Sequence, residues 1–85
     1  MDGNNDVARP RVRLRRATWD RETLERGLRT DADCAYLLRT SQSTISRVKN
    51  GEVEPGQKFI SAALWRFSGL KFEDLFEIVY GRAAP

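Results

Sequence analysis

This 85-residue sequence contains no histidine and only one cysteine, Cys34. The first absence removes the side chain most used for proton transfer near neutral pH, and the commonest metal ligand. The second excludes an intrachain disulfide and any zinc site built on several thiolates. Cys34 has no histidine to activate it as a nucleophile, and the carboxylates are scattered as helix caps and surface charges. The chain is therefore not expected to be an enzyme or to hold a metal, a cofactor or a small-molecule ligand. No apolar run approaches the roughly 20 residues that span a bilayer, so no membrane role is expected. The opening MDGNNDVARP lacks an apolar signal-peptide core, which gives a cytoplasmic expectation.

What is present is a small, charged, helix-forming chain. Hydrophobic residues make up 40% and charged residues 32%, which suits one soluble globular domain. A domain of this size buries only about 60% of the surface of its unfolded chain, so its core is modest. The net charge of +3 resides entirely in residues 1–30, which hold eight Arg against five acids. Arg9, Arg11, Arg13, Arg15 and Arg16 form one run without an acid, a block suited to neutralising phosphates. Residues 1–17 are thus expected to be a flexible arginine-rich arm, residues 18–80 the folded domain, and residues 81–85 a short tail. Val12 and Leu14 alternate with arginines, which fits either a short strand or an extended arm.

Start and stop signals divide the domain into five short helices around one core. Thr18, followed by Asp20 and Glu22, predicts a first helix to about Arg26 that buries Leu24, with Gly27 as its stop. Thr30 caps a second helix from Asp31 to Leu38. Arg39-Thr40 is a turn, and Ser41 opens a third helix to Lys49 or Asn50, which Gly51 ends. Pro55 stands beside the start of a fourth helix with one apolar stripe of Phe59, Ile60, Ala63, Leu64 and Phe67. Phe72, Leu75, Phe76 and Val79 recur at i, i+3, i+4 and i+7, which predicts a fifth helix. The expected fold is all-α.

The segment Asp31 to Val48 carries the functional signal. Ala35 is small enough for two helices to cross closely, while Cys34, Leu38, Ile45 and Val48 supply buried contacts. That leaves Gln42, Ser43, Thr44, Ser46 and Arg47 as polar residues free to face a ligand. This is the pattern of a DNA-reading helix-turn-helix.

The run from Ala35 to Val48, then Asn50-Gly51 with Pro55, then the fourth-helix stripe and Leu70-x-Phe72-x-Asp74-Leu75-Phe76 together resemble the phage repressor and Cro-like helix-turn-helix family, the xenobiotic-response-element type. The resemblance implies a compact five-helix repressor-like domain whose helix 42–50 enters the major groove. It implies base readout by Gln42, Ser43 and Arg47, with Gln suited to adenine and Arg to guanine. It implies backbone contacts from Arg29, Thr30, Arg39, Ser41, Thr44, Ser46, Lys49, Asn50 and Lys58. The arm arginines would meet phosphates or a minor groove. Double-stranded DNA and a second copy of the chain are the implied partners, because one small module rarely supplies enough contacts alone. The implied role is a transcriptional repressor on a two-fold operator, cytoplasmic and nucleoid-associated when bound.

Four positions depart from the family pattern. Arg39 stands where glycine is usual in the turn, Asp31 where glutamine often clamps the DNA backbone, and Glu52 and Glu54 in a loop that is commonly basic. These acids favour an alternative, a protein-interaction adaptor or an antitoxin-like partner protein on the same fold. Trp65 lies almost opposite the fourth-helix stripe, which predicts a cover: the arm, the tail or another subunit, with cover within the chain favoured. Ile78 and Tyr80, at the edge of the fifth helix, mark a second candidate interface, open to a homodimer or a regulatory protein.

Overall fold

The computed structural model describes residues 9–80. The chain runs β1 (Arg11–Leu14), α1 (Arg16–Glu25), α2 (Asp31–Leu38), α3 (Gln42–Lys49), α4 (Gln57–Arg66), α5 (Phe72–Leu75) and β2 (Phe76–Val79). The strands pair antiparallel, with Arg11 opposite Val79, Val12 opposite Ile78, Arg13 opposite Glu77 and Leu14 opposite Phe76. The two ends of the domain are thereby tied together. None of the described helices is long and apolar enough to cross a membrane.

The strand pair corrects the all-α expectation. The fifth helix is one turn, α5, started by the Lys71 N–H donating to Asp74 Oδ2 at 2.7 Å. At Phe76 the backbone turns extended (φ −128°, ψ 158°), so Ile78 and Tyr80 follow a strand rather than a helix. The segment is short enough to satisfy both periods, and only the fold decides between them. Phe76, Ile78 and Val79 are strand formers, and β1 offers a pairing partner. Of the segment expected to be a flexible arm, residues 11–14 are β1 and Arg16 opens α1. The first eight residues of that arm and the tail 81–85 lie outside the described residues.

The start of α1 is also set by tertiary structure. Its N-cap is Arg15, which makes no side-chain cap, rather than Thr18. The Arg15 N–H donates to the Leu75 carbonyl at 2.8 Å, continuing the β1–β2 ladder, and the Trp19 N–H donates to the Arg15 carbonyl at 3.0 Å. In this register Trp19, Glu22 and Thr23 turn inward and Leu24 turns out, 79% exposed. The expected burial of Leu24 is therefore corrected.

The core is one cluster, with Trp19, Phe59, Phe67 and Phe76 at its centre. Trp19 stacks on Phe59 at 5.9 Å and meets Phe67 edge-on at 5.4 Å. Phe59 meets Phe76 edge-on at 6.4 Å. One ring thus joins α1, α4 and, through Phe59, β2. Glu22 is buried beside it because Arg26, one turn on, hydrogen-bonds its carboxylate. That bond holds the Glu22 carboxyl below its usual range, with the Arg21 guanidinium adding a smaller pull.

Trp19→Ala is expected to cost about 3–5 kcal/mol, and Leu24→Ala no more than about 0.5 kcal/mol. Chemical denaturation of both variants checks the pair. A larger loss at Leu24 would contradict the register of α1.

Candidate nucleic-acid interface

Two helices of eight residues each are too short to hold together by local propensity alone, and α2 and α3 carry strong end signals in compensation. At α2 the Asp33 N–H donates to Thr30 Oγ1 at 3.0 Å. Asp33 Oδ2 in turn accepts from the N–H groups of Arg29 (2.9 Å) and Thr30 (3.1 Å). Those backbone bonds hold the Asp33 carboxyl below its usual range. At α3 the Thr44 N–H donates to Ser41 Oγ at 3.1 Å, and the two hydroxyls lie 2.8 Å apart. Between the helices Arg39 adopts the left-handed conformation (φ 58°, ψ 49°), and the Thr40 N–H donates to the Ala35 carbonyl at 3.0 Å. A side chain in that conformation costs about 1–2 kcal/mol.

The two helices pack through Cys34, Ala35 and Leu38 on α2 and Ile45 and Val48 on α3, all buried. Burial pushes the Cys34 thiol up, with Asp31 adding to the shift, so Cys34 is an inert packing residue. With Ile45 and Val48 inward, Gln42, Ser43 and Arg47 are exposed on the other side of α3, Thr44 and Ser46 half-buried at its flanks, and Asn50 exposed just beyond it. Arg39 and Ser41 are exposed in the turn that leads in. Arg29 and Thr30 are exposed at the start of α2, and Lys58 in the first turn of α4. The arrangement is a helix-turn-helix with a polar, uncovered second helix.

Charge is distributed differently from the sequence expectation. Most of the arm arginines are held by acids of the domain itself. Arg13 and Arg15 meet Glu77 at 2.9 and 3.3 Å, Arg16 meets Asp20 at 3.1 Å, and Arg9 lies 3.8 Å from Glu54. Arg16 also points Nη1 at the Lys49 carbonyl, 3.5 Å away at the end of α3. Lys49 itself donates to Asp31 Oδ1 at 2.5 Å, joining the end of α3 to the start of α2. By contrast, Arg29, Arg39, Arg47 and Lys58 pair with no carboxylate among the described residues. The same holds for Arg11. With Arg9 and Arg13 it lines a shallow groove shared with Gly51, Glu52, Val53 and Glu54, the loop that follows α3.

Two of the departures thereby acquire structural roles that were not foreseen. Asp31 binds Lys49. Glu54 Oε2 accepts the outward Val12 N–H of β1 at 2.8 Å. The first was legible in principle, since the two residues stand at opposite ends of a helix-turn-helix. The second had no local signal.

The three candidate interface residues are all exposed: Trp65 at 68%, Ile78 at 42% and Tyr80 at 73%. Val12 and Leu14, the apolar residues of the arm that was one expected cover for Trp65, pack in or against the core instead. Among the described residues the only recorded ring contact of Trp65 is the Arg66 guanidinium, 4.1 Å from its ring centre.

The fold and this interface define a helix-turn-helix protein. A 42-residue stretch is 52% identical to an uncharacterized HTH-type transcriptional regulator of Bacillus subtilis strain 168, YvzC. The match covers 49% of this chain and 53% of that protein, so the chain spans about half the length of this relative. No family model and no solved structure matches the chain.

Arg39→Gly is expected to stabilise the fold by about 1 kcal/mol, seen as a raised denaturant midpoint, because glycine adopts the left-handed turn without a Cβ clash. A lowered midpoint would mean that the Arg39 side chain contributes more than its backbone costs. The depressed carboxyls of Asp33 and Glu22 stabilise the fold above their unfolded values, and this is lost as pH falls through the lower folded ones. Thermal stability should therefore drop below about pH 4, and Asp33→Asn should flatten that acid limb. An unchanged limb in the variant would contradict the assignment.

Proposed function

We propose that this chain binds double-stranded DNA through α3 in the major groove and regulates transcription, as a repressor acting as a homodimer on a two-fold operator. The observation that carries the reading is the set of cations left open around the helix-turn-helix. The cations at or beside the helix-turn-helix (Arg29, Arg39, Arg47, Lys58) lack carboxylate partners among the described residues, while most of the arm arginines have them. Phosphate supplies the missing counter-charge, and its binding releases condensed cations from the duplex. The name of the Bacillus subtilis relative agrees with this reading.

In this reading Gln42 pairs with adenine N6 and N7, and Arg47, further along the same exposed side, takes guanine O6 and N7. Ser43 meets a base edge or a thymine methyl group. Ser41 presents its hydroxyl and the α3 N-terminus to a phosphate. Arg29, Thr30, Arg39, Thr44, Ser46, Asn50 and Lys58 fix the register on the backbone. Lys49, bound to Asp31, sets the position of α3 as well as carrying charge. Of the arm, Arg9 and Arg11 border the loop after α3 and reach phosphate or minor groove from there. The protein would act in the cytoplasm, on the nucleoid.

The adaptor alternative rested on Asp31, Glu52 and Glu54. Two of these bind Lys49 and the Val12 amide, which is a structural use and leaves only Glu52 in its favour. The exposed Trp65 favours an additional protein partner, as an antitoxin-like regulator would have.

Selection from a random duplex library tests the reading. Enrichment of an inverted repeat is expected, with Gln42→Ala and Arg47→Ala each weakening the selected site about 5- to 150-fold. Affinity should fall steeply with salt. No enrichment, or equal enrichment by a variant carrying both Gln42→Ala and Arg47→Ala, would overturn it in favour of the adaptor.

A further inference from the structure

We infer that the outward side of α4, together with the end of α2, is a docking surface for an acidic segment of another protein, with the Arg66 guanidinium as its anchor. The inference deepens the protein-partner part of the proposed function by naming the partner's chemistry, and it rests on that part alone.

Arg66 stands in the last turn of α4, and its guanidinium lies over the Trp65 ring, 4.1 Å from the ring centre. Its Nε is closed off from solvent and meets no acceptor. No carboxylate pairs with it among the described residues. Buried polar groups are normally hydrogen-bonded. This cation is instead held in place by stacking, with its hydrogen bonding incomplete. A guanidinium is planar, weakly hydrated and matched to a carboxylate in a two-point contact. Holding it against a ring before anything binds lowers the ordering cost of such a contact.

The surroundings of Arg66 fit the same occupant. On one side it lines a shallow groove with Tyr36, Leu37, Arg39 and Thr40, at the end of α2. On the other, Trp65 shares an outward stripe of α4 with Lys58, Ser61 and Ala62, spaced i, i+3, i+4 and i+7. Tyr36 is 89% exposed and Trp65 68%, so two aromatic rings stand open beside one unpaired cation. No acid interrupts this surface, because the chain has none between Asp33 and Glu52 or between Glu54 and Glu73.

Charge and apolar area together select the occupant. A second copy of the same face would bring Arg66 and Lys58 against further cations, which is repulsive. The tail 81–85 offers Arg82 and no acid. A DNA backbone would neutralise the cations and leave Trp65, Tyr36 and Ala62 without apolar cover. A protein segment that carries Asp or Glu beside a large apolar residue satisfies both needs. Its carboxylate takes the Arg66 fork, with Arg39 or Lys58 as further positive charge, and its apolar side chain covers Trp65. Trp, Tyr and Arg are also the residues that dominate binding energy at protein interfaces.

Selection from a random peptide library on the full chain tests the surface. Peptides that set Asp or Glu beside an apolar residue should be enriched. Arg66→Gln and Trp65→Ala should each weaken the selected peptides about tenfold or more. Arg66→Lys, which keeps the charge and loses the planar fork, should weaken them less. Tryptophan fluorescence of the unmodified chain supplies a second reading that does not depend on variants folding. Trp19 is buried, so quenching by acrylamide reports Trp65. A selected peptide should shield Trp65, and a selected duplex should not. Enrichment of no acidic peptide, or equal binding by Arg66→Gln, would overturn the inference. So would losses that follow Arg47→Ala in place of Arg66→Gln, the mark of an acidic peptide imitating DNA on α3. Shielding of Trp65 by a duplex, or a Trp65 already closed to acrylamide in the free chain, would overturn it too. Failure of duplex selection with peptide binding intact would instead refute the DNA reading and leave the docking surface standing.

Discussion

Burial of Ile45 and Val48 against Ala35 and Leu38 is the constraint from which the rest of the interface follows. An eight-residue helix gains too little from its own hydrogen bonds to persist alone, so α3 exists because one side of it is buried. Once that side is fixed, the direction of every other residue on the helix is fixed too. Gln42, Ser43 and Arg47 must face outward, and their side chains make no hydrogen bond or ion pair among the described residues. The Ser41 cap, the left-handed Arg39 and the Asp31–Lys49 bridge all restrain the same angle, from the start, the turn and the far end of the motif. Such redundancy would suit the proposed readout surface, where base contacts are lost through small misplacements.

The strand pair performs a comparable service for the whole domain. It joins the chain ends, and through Arg15 and Leu75 it also sets where α1 begins, which places Trp19 in the core. The arginine-rich beginning is thus partly structural. Its even spacing puts alternate residues on one face of β1, where Arg13 can reach Glu77, while Val12 and Leu14 pack inward. The electrostatic consequence is a domain that neutralises most of its own arm and leaves open charge at the helix-turn-helix.

Features that depend on neighbours in sequence were legible before the fold was known. The bounds of α2, the caps Thr30 and Ser41 and the stops at Gly27 and Gly51 all follow from local backbone chemistry. Features that depend on distant partners were not. Nothing near Thr18 reveals that Arg15 will be held by Leu75, so the register of α1, and with it the burial of Leu24, was misread. Residues 76–79 continue the helical stripe that begins at Phe72 and also suit a short strand, and the availability of β1 decides between them. The candidate readout residues were nameable because they are what a helix-turn-helix leaves over after its core is assigned. The Glu54–Val12 contact emerges only from packing.

The central claim is that the outward side of α3 is the surface that meets DNA. Amide chemical shifts of the labelled chain, followed as a short duplex is added at low salt, test it most directly. The account predicts perturbations concentrated on Arg39 through Arg47, reversed by added salt, with Trp65 and its neighbours on α4 unmoved. Shifts centred on Trp65, or no shifts at all at low salt, would contradict it.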